Sequence, residues 1–536
     1  MVSSASSSIL PTSLPDRSLR VSSLQLFSII FIVILALHAP LLRLPFFWDE
    51  AGYYVPAAYD LVHFHSVIPK TTMDSGHPPL SAAYLALWLT LSGWKPAVAR
   101  IAMLLMAAFA LTNVFLLAQR VASRGVAVAS TIATALYPVF FAQSSLTHAD
   151  ITMAAFSLWG IRLGIERKLW ASQGAFVLAV LAKEIAAVTP LALALWELFF
   201  SPAGKSWNER FRLAAIRFLP VLVFLAWILY HHHATGRFLG GEAFYQYNVT
   251  HAVGPIRFFL ALGLRFWYLF GFMNMLALTA AAVVAMWFAA VEDQGRPRQR
   301  ISIPVQIQFL FIILANLIAL SLVGGALLTR YMLPLYPLVI IVCMSTLRRR
   351  IARWEWPVAV IVICFVLALF FDPPYRFAPE DNLTYKDFVE LHVRAAHFLV
   401  QHEQGKAILT AWPASDELTR TYAGYVTHPL PVVEIEDFSV EEIFKARAMR
   451  SQYQVAYVFS TKYDQPTWFD SRYRDAMARR YFDYHKDLQP EMIAKILNGK
   501  IVFLAREKAE WAAVIELEEP GTRAKKSLPL IYADKR

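Results

Sequence analysis

Two adjacent carboxylates, Asp49 and Glu50, stand among aromatic residues in Phe46-Phe47-Trp48-Asp49-Glu50-Ala51-Gly52-Tyr53-Tyr54, just past the first long apolar run. A third, Asp150, closes Ser145-Leu146-Thr147-His148-Ala149-Asp150 at the edge of a later apolar run. Carboxylates so placed suit proton transfer, one taking a proton from a hydroxyl or amine while its partner orients the group. If Asp49 and Asp150 meet, each raises the pKa of the other, which suits a base working near neutral pH. Cations accompany them. Lys183 and Arg330 could hold a phosphate, Arg as a bidentate fork and Lys as a point charge. His77, in Gly76-His77-Pro78-Pro79, reads as a further phosphate ligand or as a turn histidine, and Arg237 is another cation of the set.

Whether these residues converge depends on how the chain is threaded. Of the 536 residues, 57% are hydrophobic and 17% charged, and the mean hydropathy is +0.45. Soluble domains carry about 25% charge, and here the apolar residues come in blocks long enough to span a bilayer. The chain is therefore expected to be a mostly α, polytopic membrane bundle. The net charge of +11 is read as loop Lys and Arg that orient the spans rather than as a nucleic-acid surface. Threading by that rule gives about eleven spans, the first at Leu24–Leu41 after a cytoplasmic tail of residues 1–23. Pro79–Trp94 stays on the outer side as an interfacial helix, and Val98–Ala118 crosses inward. The later spans are Val126–Ala142, Ile151–Ile165, Trp170–Ala182, Ile185–Phe200, Phe218–Tyr230, Phe266–Ala290, Val305–Val323, Met332–Thr346 and Pro357–Phe371. Arg257–Arg265 is read as an amphipathic stretch on the surface. The dense basic clusters then fall inside. The first external loop, 42–78, shares the outer face with His77, His148, Asp150, Lys183, Glu184, Arg237 and Arg330. Any one alone is a loop-solvated charge; gathered from separate segments they argue for a water-filled site, and the cations for an anionic ligand.

Past the membrane part, 24–374, apolar runs shorten and charges multiply. Residues 375–536 are expected to form a separate, extracytoplasmic α/β domain. Its strands are Ala407–Trp412, Val455–Ser460, Ile501–Ala505 and Ala512–Leu517, and its helices Tyr385–Gln401, Val440–Arg450 and Arg472–Arg480. Cys343 and Cys364 lie within apolar runs and read as packing residues. His231-His232-His233 suggests an interfacial role rather than a metal site. No cofactor is assigned, and a divalent metal is left open. Asn248-Val249-Thr250 and Asn382-Leu383-Thr384 are weak sequons. There is no Walker loop, dinucleotide fingerprint or nucleotide-sugar site. A glycosyl donor would have to bring its phosphate as a lipid.

Trp48-Asp49-Glu50-Ala51-Gly52-Tyr53, Gly76-His77-Pro78-Pro79-Leu80, His148-Ala149-Asp150, Leu181-Ala182-Lys183-Glu184 and Arg330-Tyr331-Met332-Leu333-Pro334 follow one another in an order that resembles the GT-C integral-membrane glycosyltransferases. The likeness is to the branch of the lipid A aminoarabinose and protein O-mannosyltransferases, and it covers 24–371. The resemblance implies inverting transfer of a sugar from a polyprenyl-phosphate donor to a lipid, glycan or protein acceptor at the non-cytoplasmic face of a bacterial inner membrane. Asp49 matches the catalytic carboxylate of the first loop, and Asp150 the second acidic position. Glu50 shapes the loop or binds sugar hydroxyls. Lys183 and Arg330, with His77 and Arg237, would hold the lipid phosphate; Tyr53, His148 and Tyr331 complete the substrate contacts. The branch often has Lys where His77 stands and Gly where Glu184 stands. A transporter or flippase for an anionic lipid is the rival, and it would need charges deep within spans and inverted repeats.

Overall fold

The computed structural model describes residues 22–200, 204–238, 240–241, 254–323, 326–463, 472–482, 484, 486–518 and 531–532. Most of the tail expected to be cytoplasmic, most of the expected outer loop to His251 and the sequon at Asn248 lie outside these residues. Apolar helices occupy each expected span, and the fold is a polytopic membrane bundle carrying a small sheet domain. Among the described residues, five helical stretches are long and apolar enough to cross a membrane: Ser23–Leu41, Pro96–Val121, Trp207–Thr235, Pro255–Ala285 and Ile303–Val323. The first is opened by a reciprocal capping box between Ser22 and Gln25, which satisfies two of the amide groups a helix start leaves orphaned.

Other expected spans are shorter or broken for local reasons. Arg124–Leu136 and Pro138–Gln143 meet at Tyr137, whose extended backbone (ψ 124°) is what a following proline imposes. Two boundaries differ from the sequence reading. Phe218–Tyr230 is the outer part of one continuous helix, Trp207–Thr235, so Arg210, Arg212 and Arg217 ride on helix rather than on a loop. Arg217 donates there from Nε and Nη2 to the buried Glu197 at 3.0 and 2.9 Å. The stretch Arg257–Arg265 belongs to the longer helix Pro255–Phe270 and is amphipathic as expected: Phe259 is exposed while Ala261 and Arg265 are buried. This helix ends where Met273 and Asn274 take positive φ values of 46° and 64°, and Met275–Ala285 continues beyond the kink. At the far end of the helix Tyr336–Arg350 from Arg330, Arg298 Nη1 donates to the carbonyls of Arg348 and Ile351, beside a hairpin of β1 (Glu292–Asp293) and β2 (Arg296–Pro297).

The C-terminal part is built on β3 (Ile408–Ala411), β4 (Val432–Ile435), β5 (Val455–Phe459), β6 (Gly499–Glu507), β7 (Glu510–Leu517) and β8 (Ile531–Tyr532). Their order is β4-β3-β5-β7-β6-β8; β4 and β5 run parallel to β3, and β7 is antiparallel to both β5 and β6. Four strands and three helices fall where expected. The sequence reading passes over β4, a Val-Val-Glu-Ile run pinned behind Pro431, and the helices Ala414–Thr419 and Pro490–Leu497. The expected separateness of this domain is corrected. One hydrophobic core runs unbroken from bundle residues such as Leu111 and Tyr336 to sheet residues such as Val458 and Val514. The seam is the first external loop: Phe46 N donates to Ala423 O (3.0 Å), Tyr425 Oη donates to Phe46 O (3.0 Å), and the Phe47 ring packs edge-on against Phe388. Asn382 is fully buried, its amide donating to Ala368 O and Asp372, so its sequon is a packing element.

Candidate functional site

The loop that carries the first two carboxylates turns sharply at Trp48, a non-glycine residue in the left-handed region (φ 43°), and winds at once into a π-helical turn, Glu50–Tyr54. Both features are uncommon and mark places where a fold holds side chains in a required direction. They send neighbouring carboxylates opposite ways. Glu50 points inward and is wholly buried. Its carboxylate accepts the amide protons of Phe47 and Thr147, each at 2.7 Å, and meets Arg100 at 3.2 Å. Arg100, equally buried, spends its remaining donors on the carbonyls of Leu44, Pro45 and Ser145. Of the two roles read for Glu50 the geometry fits the shaping of the loop: its oxygens tie the first loop to the segment before Asp150 and line neither cavity described below.

Asp49 points the other way and accepts a hydrogen bond from Arg330 Nη2. Arg330 sits in the turn Thr329–Met332 ahead of helix Tyr336–Arg350 and is 3% exposed. Three carboxylates surround it: Asp49, Glu380 on Nη1, and Asp150, whose Oδ2 lies 3.3 Å from Nε. Asp150 is held from behind by Lys183, whose Nζ donates to both of its oxygens at 2.8 and 2.9 Å and rests 4.3 Å from the Tyr331 ring. Asp49 and Asp150 are thus joined through a guanidinium, and the expected direct meeting of two carboxylates gives way to a cation-bridged chain.

Two cavities meet at this chain. The larger, about 1020 Å³, is lined by Asp49, Arg330, Tyr53, Tyr54, His77 and Tyr331 on the membrane side and by the sheet domain opposite. The smaller, about 440 Å³, is lined by Asp49, Arg330, Glu380 and Asp381 with Phe47, Tyr268 and Phe377. Of the expected site residues, Asp49, Tyr53, His77, Arg330 and Tyr331 reach the larger cavity. Lys183 reaches neither; it is 1% exposed and committed to Asp150. That corrects its expected place against a phosphate. Asp150 and His148 also stand behind the surface, His148 Nδ1 donating to Gln143 Oε1 at 2.7 Å. Arg237 is exposed and outside both linings. His231, the first of the histidine triplet, donates within 2.9 Å of Asp74 and orders the loop before His77.

Sequence reasoning missed Glu380, Arg265 and Trp412. Glu380 and Asp381 follow the last span, and an acidic pair just past Asp372-Pro373-Pro374 was the available signal. Burial, outweighing the pull of Arg330, pushes Glu380 up to about 8; burial pushes Asp381 up to about 7, although it accepts from Thr329. Arg265 uses Nη2 on Leu320 O, while its Nε and Nη1 have no partner among the described residues. His77 Nδ1 contacts Glu184 Oε2 at 2.8 Å, so the two positions that depart from the resembled pattern touch one another. Among the described residues no three His, Cys, Asp or Glu side chains gather as a metal site.

No protein-family model and no curated protein matches the sequence. Solved structures do match in fold. The chain is similar to ArnT from Cupriavidus metallidurans in the apo state, with a TM-score of 0.55 at 14% identity over 92% of this chain and 98% of that one. ArnT bound to undecaprenyl phosphate gives 0.54, again at 14% identity, over 92% and 97%. The fold is of the GT-C glycosyltransferase type. A weaker likeness, TM-score 0.43 at 11% identity over 81% and 69%, is to the oligosaccharyltransferase AglB from Archaeoglobus fulgidus in complex with an inhibitory peptide and a dolichol-phosphate.

Proposed function

We propose that this GT-C-type chain is an inverting glycosyltransferase that moves a sugar from a polyprenyl-phosphate donor to an acceptor at the non-cytoplasmic membrane face. The observation that carries the reading is the Asp49–Arg330 pair at the junction of two cavities. A transferase must bring two substrates to one base and one anion-stabilising group, and this pair offers both on a stretch of wall that the two cavities share. The fold shared with ArnT bound to undecaprenyl phosphate supports a lipid phosphate as leaving group. The Arg348–Arg350 cluster, at the opposite end of its helix from Arg330, supports the orientation.

In this mechanism the donor phosphate competes with Asp49 for Arg330. Charge-assisted bonds from a guanidinium to phosphate are strong and bidentate, so Arg330 exchanges a carboxylate for the phosphate and Asp49 is released towards the acceptor. Asp49 takes the acceptor proton as the acceptor oxygen bonds to the anomeric carbon. The carbon–oxygen bond to the phosphate breaks, and its electron pair leaves on the phosphate oxygen under the charge of Arg330. A single displacement inverts the anomeric centre. Asp150 and Glu380 keep Arg330 in place throughout, and Lys183 balances the charge of Asp150. His77, which lines the larger cavity, is the further expected ligand within reach of the phosphate.

The test is the mass added to lipids and glycans when the purified chain meets candidate polyprenyl-phosphate sugars, beside Asp49→Asn and Arg330→Ala. A new glycosidic product made by the wild type, with both variants much slower, is expected. Donor flipping without any product, or full turnover by both variants, overturns the proposal.

A further inference from the structure

The larger cavity has a wall that no part of the mechanism above uses. The chain passes from β3 outward to β4, then back across β3 to β5, all three parallel. Such a reversal leaves a crevice at the carboxyl ends of the strands, where open α/β sheets bind ligands. Here the strand ends run into Trp412 after β3, Glu436-Asp437 after β4, and Thr461-Lys462 after β5, and all line the cavity that holds Asp49 and Arg330. The crevice of the sheet domain therefore opens directly on the reacting pair.

Its chemistry is specific. Trp412 stacks on Tyr53 (centroids 4.8 Å apart, planes 24° apart) and meets Trp48 edge-on at 5.2 Å, so an aromatic platform is braced from below. Its Nε1 donor has no partner among the described residues. Around it stand fixed carboxylates: Asp416 bonded to Arg420 at 2.6 Å, and Glu434 accepting from Ser415 Oγ at 3.1 Å. An indole face beside carboxylates matches a sugar ring, whose C–H face packs on the indole while its hydroxyls donate to the acids. Arg420, Lys445 and Lys462 also line this wall, but Asp416, Glu434, Glu436, Asp437 and Glu442 outnumber them, so the crevice favours a neutral or cationic ring over a second lipid phosphate.

We propose that this crevice binds a neutral or amino sugar ring of the acceptor and presents its hydroxyl to Asp49. The word acceptor rests on the transferase reading; the binding of sugar does not. The test uses the full chain in nanodiscs with neutral, aminated and uronate hexasaccharides, followed by calorimetry. Neutral or aminated hexasaccharide should bind, uronate should not, and Trp412→Leu should weaken binding by about 2- to 10-fold, the worth of a lost aromatic contact. Glu434→Lys, on an exposed strand position, should abolish binding of the aminated probe without disturbing the platform, which keeps the test valid if Trp412→Leu folds poorly. Failure of every hexasaccharide to bind overturns the crevice and leaves the transferase reading to its own product assay. A Trp412→Leu defect in donor KM alone overturns the acceptor assignment by giving the crevice to the donor's sugar.

Discussion

Neighbouring carboxylates with opposite duties invite a paired test. In Glu50→Gln the side chain keeps its shape but loses its charge and one of its two acceptor oxygens. The wild-type carboxylate satisfies the amides of Phe47 and Thr147 at 2.7 Å each, so one of these buried donors must face an NH2 group. An orphaned buried donor costs about 1–3 kcal/mol. Arg100 is left with no counter-charge in a fully buried site, and breaking a buried ion pair costs about 3–5 kcal/mol. The two losses share one network and do not add, so about 3–5 kcal/mol is expected overall, a large part of a typical stability of about 5–15 kcal/mol. In Asp49→Asn, Arg330 keeps Asp150 as counter-charge and Glu380 as a hydrogen-bond acceptor, so the fold should hold while a proton acceptor is lost, slowing transfer by about a hundredfold to ten-thousandfold. Both variants and the wild type are purified in one detergent and heated stepwise. Monodisperse protein is followed by size exclusion, and turnover is measured on the unheated monodisperse fraction. Glu50→Gln should melt early yet turn over near the wild-type rate per folded molecule; Asp49→Asn should show the reverse. A Glu50→Gln protein of wild-type stability and lost turnover would refute the assignment of Glu50 to the frame.

Lys183→Met should lower stability and leave the donor KM close to that of the wild type, because its ammonium is spent on Asp150; Arg330→Ala should raise the donor KM, and a titration over donor concentration separates the two. Glu380 and Asp381 hold protons in the folded chain at pH values where the unfolded chain has lost them. Their contribution to stability is therefore full below about pH 4.5 and is lost as pH rises through about 7 to 8; melting temperature should fall across that window, and Glu380→Gln should flatten the fall. A Cβ added at Gly52 would lie 2.1 Å from Trp412 Nε1, so Gly52→Ala should cost about 1–3 kcal/mol by overpacking, and Trp412→Leu in the same chain should recover the stability but not sugar binding.

Composition and the placing of Arg clusters determined that the chain is a membrane bundle, because span length and loop charge are local properties that need no tertiary contact. The order of short motifs likewise disclosed Asp49 and Arg330, since charged residues at the edges of apolar runs are too costly to be incidental. Which member of each motif faces a substrate was decided only by the fold. Asp49 and Glu50 are adjacent and chemically alike, and it took the left-handed turn at Trp48 and the π-turn after it to send one to the cavity and the other to Arg100. Lys183 reads as a phosphate ligand until Asp150 is seen to occupy its ammonium. Trp412 carries no local mark of function and Glu380 only its place in an acidic pair; Glu380 meets Arg330 across fifty positions of chain, and Trp412 meets Tyr53 across a domain seam. Pairing over such separations is set by how helices and sheet pack together, which periodicity and spacing do not encode.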